Sequence, residues 1–335
     1  TAPEGYDVPH PEKAWKPSRH GKVCINEGTS RKVRMIEKPR YNYEQVIHHI
    51  VVSACYDIFM KGMYEFSCGS VPNRGAHYGK KYIERWIQRD KKNCKYVLKM
   101  DIRHFFESVD HDVLKAWLKK KIRDERMLHI LELIIDGSEV GLPLGFYTSQ
   151  WLSNFMLQPL DHFIKEQLKA VHYIRYMDDF WMLLPTKEQA EKTYTETVEK
   201  IQAYGLEINE KKSHVVPLRK GFTFLGFRYR MTDTGKVIMT LNPDSVKHER
   251  KTLARMVNKS KRGELPLEKV EEHHNAWQNN AEKGNSNKVR ERTRKYLKQL
   301  KGDEKNESKK NVSDTSRGGG ERKSQSNCRK TESDH

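Results

Sequence analysis

The 335-residue chain has no apolar run that approaches the roughly 20 residues needed to cross a bilayer. Its mean hydropathy is -0.89, and its first residues, TAPEGYDVPHPEKAWKPSRHGK, contain no apolar signal core. A soluble protein of the cytosol, without membrane partners, is therefore expected. Cysteine is scarce: Cys24, Cys55, Cys68, Cys94 and Cys328 are the only five. No two stand at a Cys-x-x-Cys spacing and no histidine pair completes a zinc pattern, which argues against a structural zinc site. An odd count suits reduced cysteines in a reducing compartment better than a disulfide scaffold. Internal repeats are also lacking.

What the chain has in excess is positive charge. Lysine and arginine number 63 against 45 acidic residues, a formal net charge of +18. Such a surface attracts polyanions, and nucleic acid is the usual one. Charge supplies affinity without chemistry, so a basic but merely solvated surface fits this number equally well.

Residues 1–30 hold four prolines and little periodicity, and read as an extended arm. A second segment, 31–95, is periodic; VIHHIVVSACYDIFM (46–60) is dense enough for a buried helix, SCGSVPNRGAHYGK (67–80) is a basic glycine-rich loop, and AHYGKKYIERWIQR (76–89) runs into a helix. In the third, 96–235, KYVLKMDI (95–102) is a strand ending in an acid. Helices follow over 111–122, with His111-Asp112 as start signals, over 125–136 and over 151–168. VHYIRYMDDFWMLLP (171–185) is a hairpin with Met177-Asp178-Asp179 in its turn; 187–205 is a helix capped at Gly205; 206–216 and 222–231 are strands. Residues 236–300 open with a strand and become helical and strongly basic. From Lys301 to His335 apolar residues almost vanish, which predicts a disordered tail.

Three carboxylates carry the chemistry. Asp101 ends a hydrophobic strand, and Asp178 and Asp179 occupy the turn of an apolar hairpin. Adjacent aspartates in a turn are ordinary turn chemistry, but flanks this apolar bury the hairpin and bring the acids near other groups. Carboxylates on neighbouring strands, with the backbone carbonyl of Ile102 as a further oxygen, suit a pair of divalent cations such as Mg2+ about 4 Å apart, the arrangement nucleotidyl transfer requires.

At these residues the sequence resembles a known family. MDIRHFFESVD followed by RYMDDF looks like motifs A and C of reverse transcriptases. RKVRMIEKPRYNYEQVIHHIV (31–51) and SVPNRGAHYG (70–79) are similar to the two opening blocks of group II intron and related bacterial enzymes. GLPLGFYTSQWLSNFML (141–157), GLEINEKKSHVV (205–216) and FLGFRY (224–229) look like motifs B, D and E, in family order. The resemblance spans roughly residues 31–300. It implies an α+β right-hand polymerase: fingers over 31–95, a palm of antiparallel sheet and helices over 96–235, a short helical thumb over 236–300, with the arm before and the tail after. It implies RNA-directed DNA synthesis with two Mg2+ ions, Mn2+ being a substitute, held by Asp101, Ile102, Asp178 and Asp179. Phe106 stands where the family places the steric gate against a ribose 2′-hydroxyl, while Phe105 reads as core. Arg74 would bind triphosphate; Arg34 and Lys38 are candidates for the same anionic site, a solvated surface role being as good a reading. Lys212, beside Lys211, stands where a lysine would protonate pyrophosphate. Phe224, Leu225 and Gly226 match the primer grip, with a plain structural hairpin as the competing reading.

Motif B departs from the common Gln-Gly pattern. Leu144-Gly145-Phe146-Tyr147-Thr148-Ser149-Gln150 is similar to the Leu-Gly-x-x-x-Ser-Gln form of diversity-generating retroelement enzymes, bacterial or phage-encoded, which copy a template RNA with frequent errors opposite adenine. Leu144, Gly145 and Gln150 are then nucleotide-binding positions, and leucine cannot donate the hydrogen bond that glutamine gives the incoming sugar. The resemblance implies template RNA, cDNA or primer, dNTPs and a small basic pentameric accessory protein as partners. The remaining length leaves no room for a nuclease or maturase domain, which makes partners expected. Other bacterial reverse transcriptases, retron, group II-like or phage-defence, and a catalytically silent RNA-binding relative are the alternatives.

Overall fold

The structure, a computed structural model, describes residues 21–26, 33–39, 43–232 and 234–315, and of 26, 33–35 and 303–315 the backbone only. It divides into two units, Thr1–Asn242 and Pro243–His335. Helices and antiparallel sheets are mixed, as the α+β expectation has it.

The first unit is organised on a four-stranded antiparallel sheet of order β4-β5-β3-β6, with β3 Tyr96–Asp101, β4 His172–Tyr176, β5 Asp179–Leu184 and β6 His214–Pro217. The central strands are apolar on both faces, as strands covered from two sides must be. Alternation sorts their side chains. Leu98, Met100, Phe180, Met182 and Tyr173 join the large core cluster with helices α1 (Glu44–Lys61), α4 (His111–Lys121), α5 (Glu125–Asp136), α6 (Tyr147–His162) and α7 (Lys187–Gln202). On the opposite face Trp181 meets Phe224 edge-on at 4.5 Å, and Gly79 of α2 (Ala76–Arg89) lies against Phe224 and Ile174. Phe224 belongs to a three-stranded sheet of β7 Phe222–Phe224, β8 Phe227–Met231 and β9 Val237–Leu241.

Three helix starts follow from short acids and a hydroxyl. Asp110, rather than the expected His111-Asp112, caps α4 by accepting from the Val113 amide; Asp124 and Thr186 cap α5 and α7 in the same way. A short helix α3, Phe105–Ser108, follows β3. Past the in-helix Pro159, α6 ends in a π-turn over Phe163–Gln167.

Several expectations change. The arm lies mostly outside the described residues, but Gly21–Asn26 is a strand, β1, paired antiparallel with β2, Val33–Lys38. Ladder hydrogen bonds supply there what apolar periodicity does not. The α1 segment is not buried all round, since Val46, Ile50 and Tyr56 are exposed. The strand expected over 206–216 is broken: Ile208 makes a lone bridge to Ile102, a turn follows, and only His214–Pro217 joins the sheet. Strand β9 pairs with β8, so the first unit extends to Asn242 rather than ending at 235. In the second unit α8 (Pro243–Lys261), α9 (Leu267–Ala281) and α10 (Asn287–Thr315) pack around Leu253, Val257, Val270 and Leu297. Helix α10 runs past Lys301 to Thr315, into the stretch expected to be disordered. Its lysines and glutamates are good helix formers that need no apolar face to close i→i−4 bonds. The rest of the tail lies outside the described residues.

Phe59 of α1 packs on Trp151 and Phe155 of α6, with ring centroids 6.1 and 5.7 Å away, and is fully buried. Phe59→Ala is expected to destabilise the first unit by about 3–5 kcal/mol, read as a lowered urea midpoint without a change in slope.

Candidate active site

The register of β3 against β5 puts Asp101 directly opposite Asp179. Both project from the sheet face that also carries Lys99 and Trp181, away from the face holding Met100 and Phe180. Asp178 occupies the two-residue link between β4 and β5, and its carbonyl accepts from the Ile102 amide at 3.4 Å. The link begins with Met177 at φ +56, a conformation that hairpin turns normally give to glycine. A bulky side chain there is strained and persists only where its surroundings hold it.

The broken strand supplies the other side of the site. The Asn209 amide donates to the Asp101 carbonyl at 2.8 Å, and the turn that follows returns Lys212 over the sheet. Lys212 Nζ donates to Asp101 Oδ2 at 2.5 Å, and Ser213 Oγ accepts from the Asp101 amide at 3.1 Å. Burial pulls the Lys212 ammonium towards neutrality, but its hydrogen bond to Asp101 and the charges of Asp101, Asp179 and Asp178 outweigh it, so its pKa is raised. Lys211 is exposed and lines a cavity with Arg103, Glu207 and Glu210.

Asp179 Oδ1 is buried and accepts no hydrogen bond among the described residues, while Lys99 Nζ stands 3.6 Å away. Burial pushes the Asp179 carboxyl up to about 6, with the charges of Asp101 and Asp178 adding to burial and Lys99 opposing it. An unsatisfied carboxylate oxygen beside two further acids is the donor set of a hard divalent cation. Among the described residues no three acidic, histidine or cysteine side chains form a ready metal cage. The residues fit ions whose coordination is completed by waters and substrate phosphates.

Phe105 is buried and Phe106 half-buried, their rings 5.8 Å apart, and the Phe106 carbonyl accepts from the Leu142 amide at 2.6 Å. The same loop leads to Leu144, whose carbonyl accepts from the Glu37 amide of β2 at 2.8 Å. Gly145, at φ +114, lies so close that a Cβ would meet the Glu37 carbonyl oxygen at 2.4 Å and Ile36 at 2.6 Å. Leu144 is half-buried and Gln150 exposed. Lys38 is exposed at the end of β2; Arg34 pairs with Ile25 across the ladder, and its side chain lies outside the described residues. Arg74 donates to the Tyr64 carbonyl at 2.6 Å, so one of its donors braces its own loop. Phe224 is core, whereas half-buried Leu225 (φ +44) and exposed Gly226 (φ +84) form the end of the β7–β8 hairpin.

Sequence reasoning missed a second layer: Lys99, Ser213, and the buried Asn154, Asp161 and Arg175 beneath the turn. The signal available was polar residues inside segments otherwise wholly apolar.

Residues 23–229 match the family described as reverse transcriptase (RNA-dependent DNA polymerase). The chain belongs to that reverse transcriptase family. It is similar to Protein YkfC of Escherichia coli, 22% identical over a 229-residue alignment, with 55% of this chain and 60% of that protein covered. It is similar to the retron Ec73 reverse transcriptase of Escherichia coli, 31% identical over 106 residues, 28% of this chain and 33% of that enzyme. Among solved structures, the telomerase of Candida albicans in complex with a fragment of telomeric RNA aligns at 13% identity and a TM-score of 0.48, over 74% of this chain and 52% of that one. The chain thus spans between a third and about three fifths of the curated relatives named.

A raised carboxyl pKa fixes a sign. The folded protein holds the Asp179 proton up to about pH 6, whereas an unfolded aspartate releases it near 3.9. Without divalent ions, this carboxyl's contribution to stability should therefore fall as pH rises from about 4 to about 6. Asp179→Asn should remove that slope and gain on the order of 1–2 kcal/mol at pH 7, discounted for its solvent-facing part. Urea midpoints of both proteins at pH 4.5 and 7 test this.

Proposed function

We propose that this reverse transcriptase is an active RNA-directed DNA polymerase, and that it belongs to the error-prone diversity-generating retroelement type. The observation that carries the first part is the β3–β5 register that sets Asp101 opposite Asp179 with Asp178 in the adjoining turn, in a chain of this family. Asp101, Asp178, Asp179 and the Ile102 carbonyl would hold two Mg2+ ions, Mn2+ replacing them. Such ions, when bound, lower the pKa of the attacking hydroxyl and neutralise charge on the transferring phosphate.

The remaining steps belong to the chain's own groups. Lys212, kept charged by the acids around it, is a proton donor for the leaving pyrophosphate. Arg74, with donors to spare beyond the Tyr64 carbonyl, and Arg34 and Lys38 engage the triphosphate. Half-buried Phe106 excludes a 2′-hydroxyl. The Phe224–Leu225–Gly226 turn approaches the primer. In this reading β3 to β9 form the palm, the segment around β1, β2, α1 and α2 the fingers, and α8 to α10 the basic thumb along the template–primer backbone. Template RNA, primer and dNTPs are its ligands, and the cytoplasm of a bacterium, or of a phage's host, its place.

The second part rests on Leu144 and Gln150. Leucine beside the incoming nucleotide leaves its sugar unbonded, and selectivity falls when a differential contact is lost. A small basic pentameric accessory protein and mutagenic copying for a target gene follow from this type. The likeness to a retron enzyme favours a second reading, a retron-type polymerase. The cDNA made on native RNA separates the two: adenine-directed errors support the first, and cDNA without that bias the retron reading.

Primer extension on poly-rA with dTTP and Mg2+ is expected to give product, and Asp178→Asn to lower kcat about a thousand-fold, the loss of several kcal/mol of transition-state stabilisation. No product with any divalent ion would favour a silent RNA-binding role. Leu144→Gln should lower misincorporation opposite template adenine; an unchanged error rate removes that residue from the account.

A further inference from the structure

Arg175 lies in β4, two residues before Met177, and has no exposed surface. Its Nε and Nη2 donate to Asp161 of α6 at 2.8 and 2.6 Å, and Asp161 is equally buried. Tyr173 donates to the same carboxylate at 2.6 Å. The remaining guanidinium nitrogen of Arg175, Nη1, donates to Asn154 Oδ1 at 2.9 Å and to the Met177 carbonyl at 3.1 Å. Asn154 in turn donates to the Gly69 carbonyl at 2.9 Å. Gly69 presses on the turn: a Cβ there would meet the Met177 amide nitrogen at 2.6 Å. The backbone of Arg175 is engaged as well, donating to Phe66 at 3.1 Å and accepting from Cys68 at 2.7 Å.

A buried ion pair is poor value as a stabiliser, because apolar residues of similar volume do as well. What apolar residues cannot do is fix a direction. The planar guanidinium spends its donors on α6 and on the first carbonyl of the turn at once, and a single ammonium cannot copy that fork. The turn it grips is the one whose methionine sits at φ +56.

We propose that Arg175, locked by Asp161 and Asn154, is the positioning residue that holds the Met177–Asp178 turn in its left-handed form and so aims the Asp178 and Asp179 carboxylates. The consequence for turnover rests on the polymerase reading; the hold on the turn does not.

The test uses the full chain with Asn154→Ala, Arg175→Lys, Met177→Gly and both pairwise combinations with Met177→Gly. Two readouts are taken: steady-state primer extension, and amide hydrogen exchange of the peptide spanning 176–179. Asn154→Ala and Arg175→Lys are expected to lower kcat about 10- to 100-fold with primer–template affinity unchanged. Exchange in the turn should rise while peptides from β3 and α6 stay protected. Met177→Gly, which accepts φ > 0 without strain, should recover much of the lost kcat in either background. Unchanged turn exchange in both variants overturns the proposal. So does an equal loss with and without Met177→Gly, since additivity would mean no coupling to the turn. Should Arg175→Lys fail to fold, Asn154→Ala, outside the ion pair, decides alone. A wild-type protein inactive with every metal, yet showing the exchange response, would sink the polymerase reading and uphold the clamp.

Discussion

One strand pairing governs the site. With β3 antiparallel to β5 and Asp101 opposite Asp179, alternation sends Lys99 and Asp101 to one face and Leu98 and Met100 into the core. A slip of one residue would bury the acids among the helices and expose the methionine, so the core enforces the register that the chemistry uses. The same alternation along β4 places Arg175 on the helical face, under the turn, and Tyr176 on the face of the acids. The polar residues that act and the polar residues that support them are thus separated by the thickness of one strand.

The charge distribution follows from that separation. The chain is strongly basic overall, yet its centre gathers three aspartates. A polyanion drawn in by the surface meets repulsion at the acids unless positive charge intervenes. Lys212 at Asp101 and Lys99 near Asp179 supply part of it, and Asp179 still holds its proton more tightly than an ordinary aspartate. The incomplete compensation favours a divalent cation brought together with its phosphate ligand over one held by the protein alone.

How much of this was legible in the sequence follows from how local each cause is. The strand carrying Asp101, the hairpin carrying Asp178 and Asp179, and the helices over 76–89 and 125–136 were readable because their periodicity is carried by neighbouring residues. Lys212 could be named but not separated from Lys211 until the turn after Ile208 showed which side chain faces Asp101. The break in the strand expected over 206–216 was invisible, since the bonds that stop it, from Arg103 and Asn209, join residues about a hundred apart. The partners of Arg175 were hidden for the same reason: Asp161 and Asn154 look like isolated polar interruptions of an apolar helix until the fold places them under β4. The helix beyond Lys301 was missed because the reading weighed apolar content, whereas backbone bonds and helix propensity suffice to draw it.

Two neighbouring residues of the loop before α6 differ in what the fold asks of them. Gly145 is fixed by sterics, since any Cβ would strike the Glu37 carbonyl. Leu144 is hydrogen-bonded to the same strand through its backbone carbonyl, which every residue possesses. That hydrogen bond between β2 and the loop before α6 therefore does not depend on which side chain stands at 144. On the proposed reading, nucleotide discrimination is tuned at this position while the scaffold stays constant. On that reading, polymerase chemistry resides in positions that the register fixes, and fidelity in a neighbouring position that it leaves open.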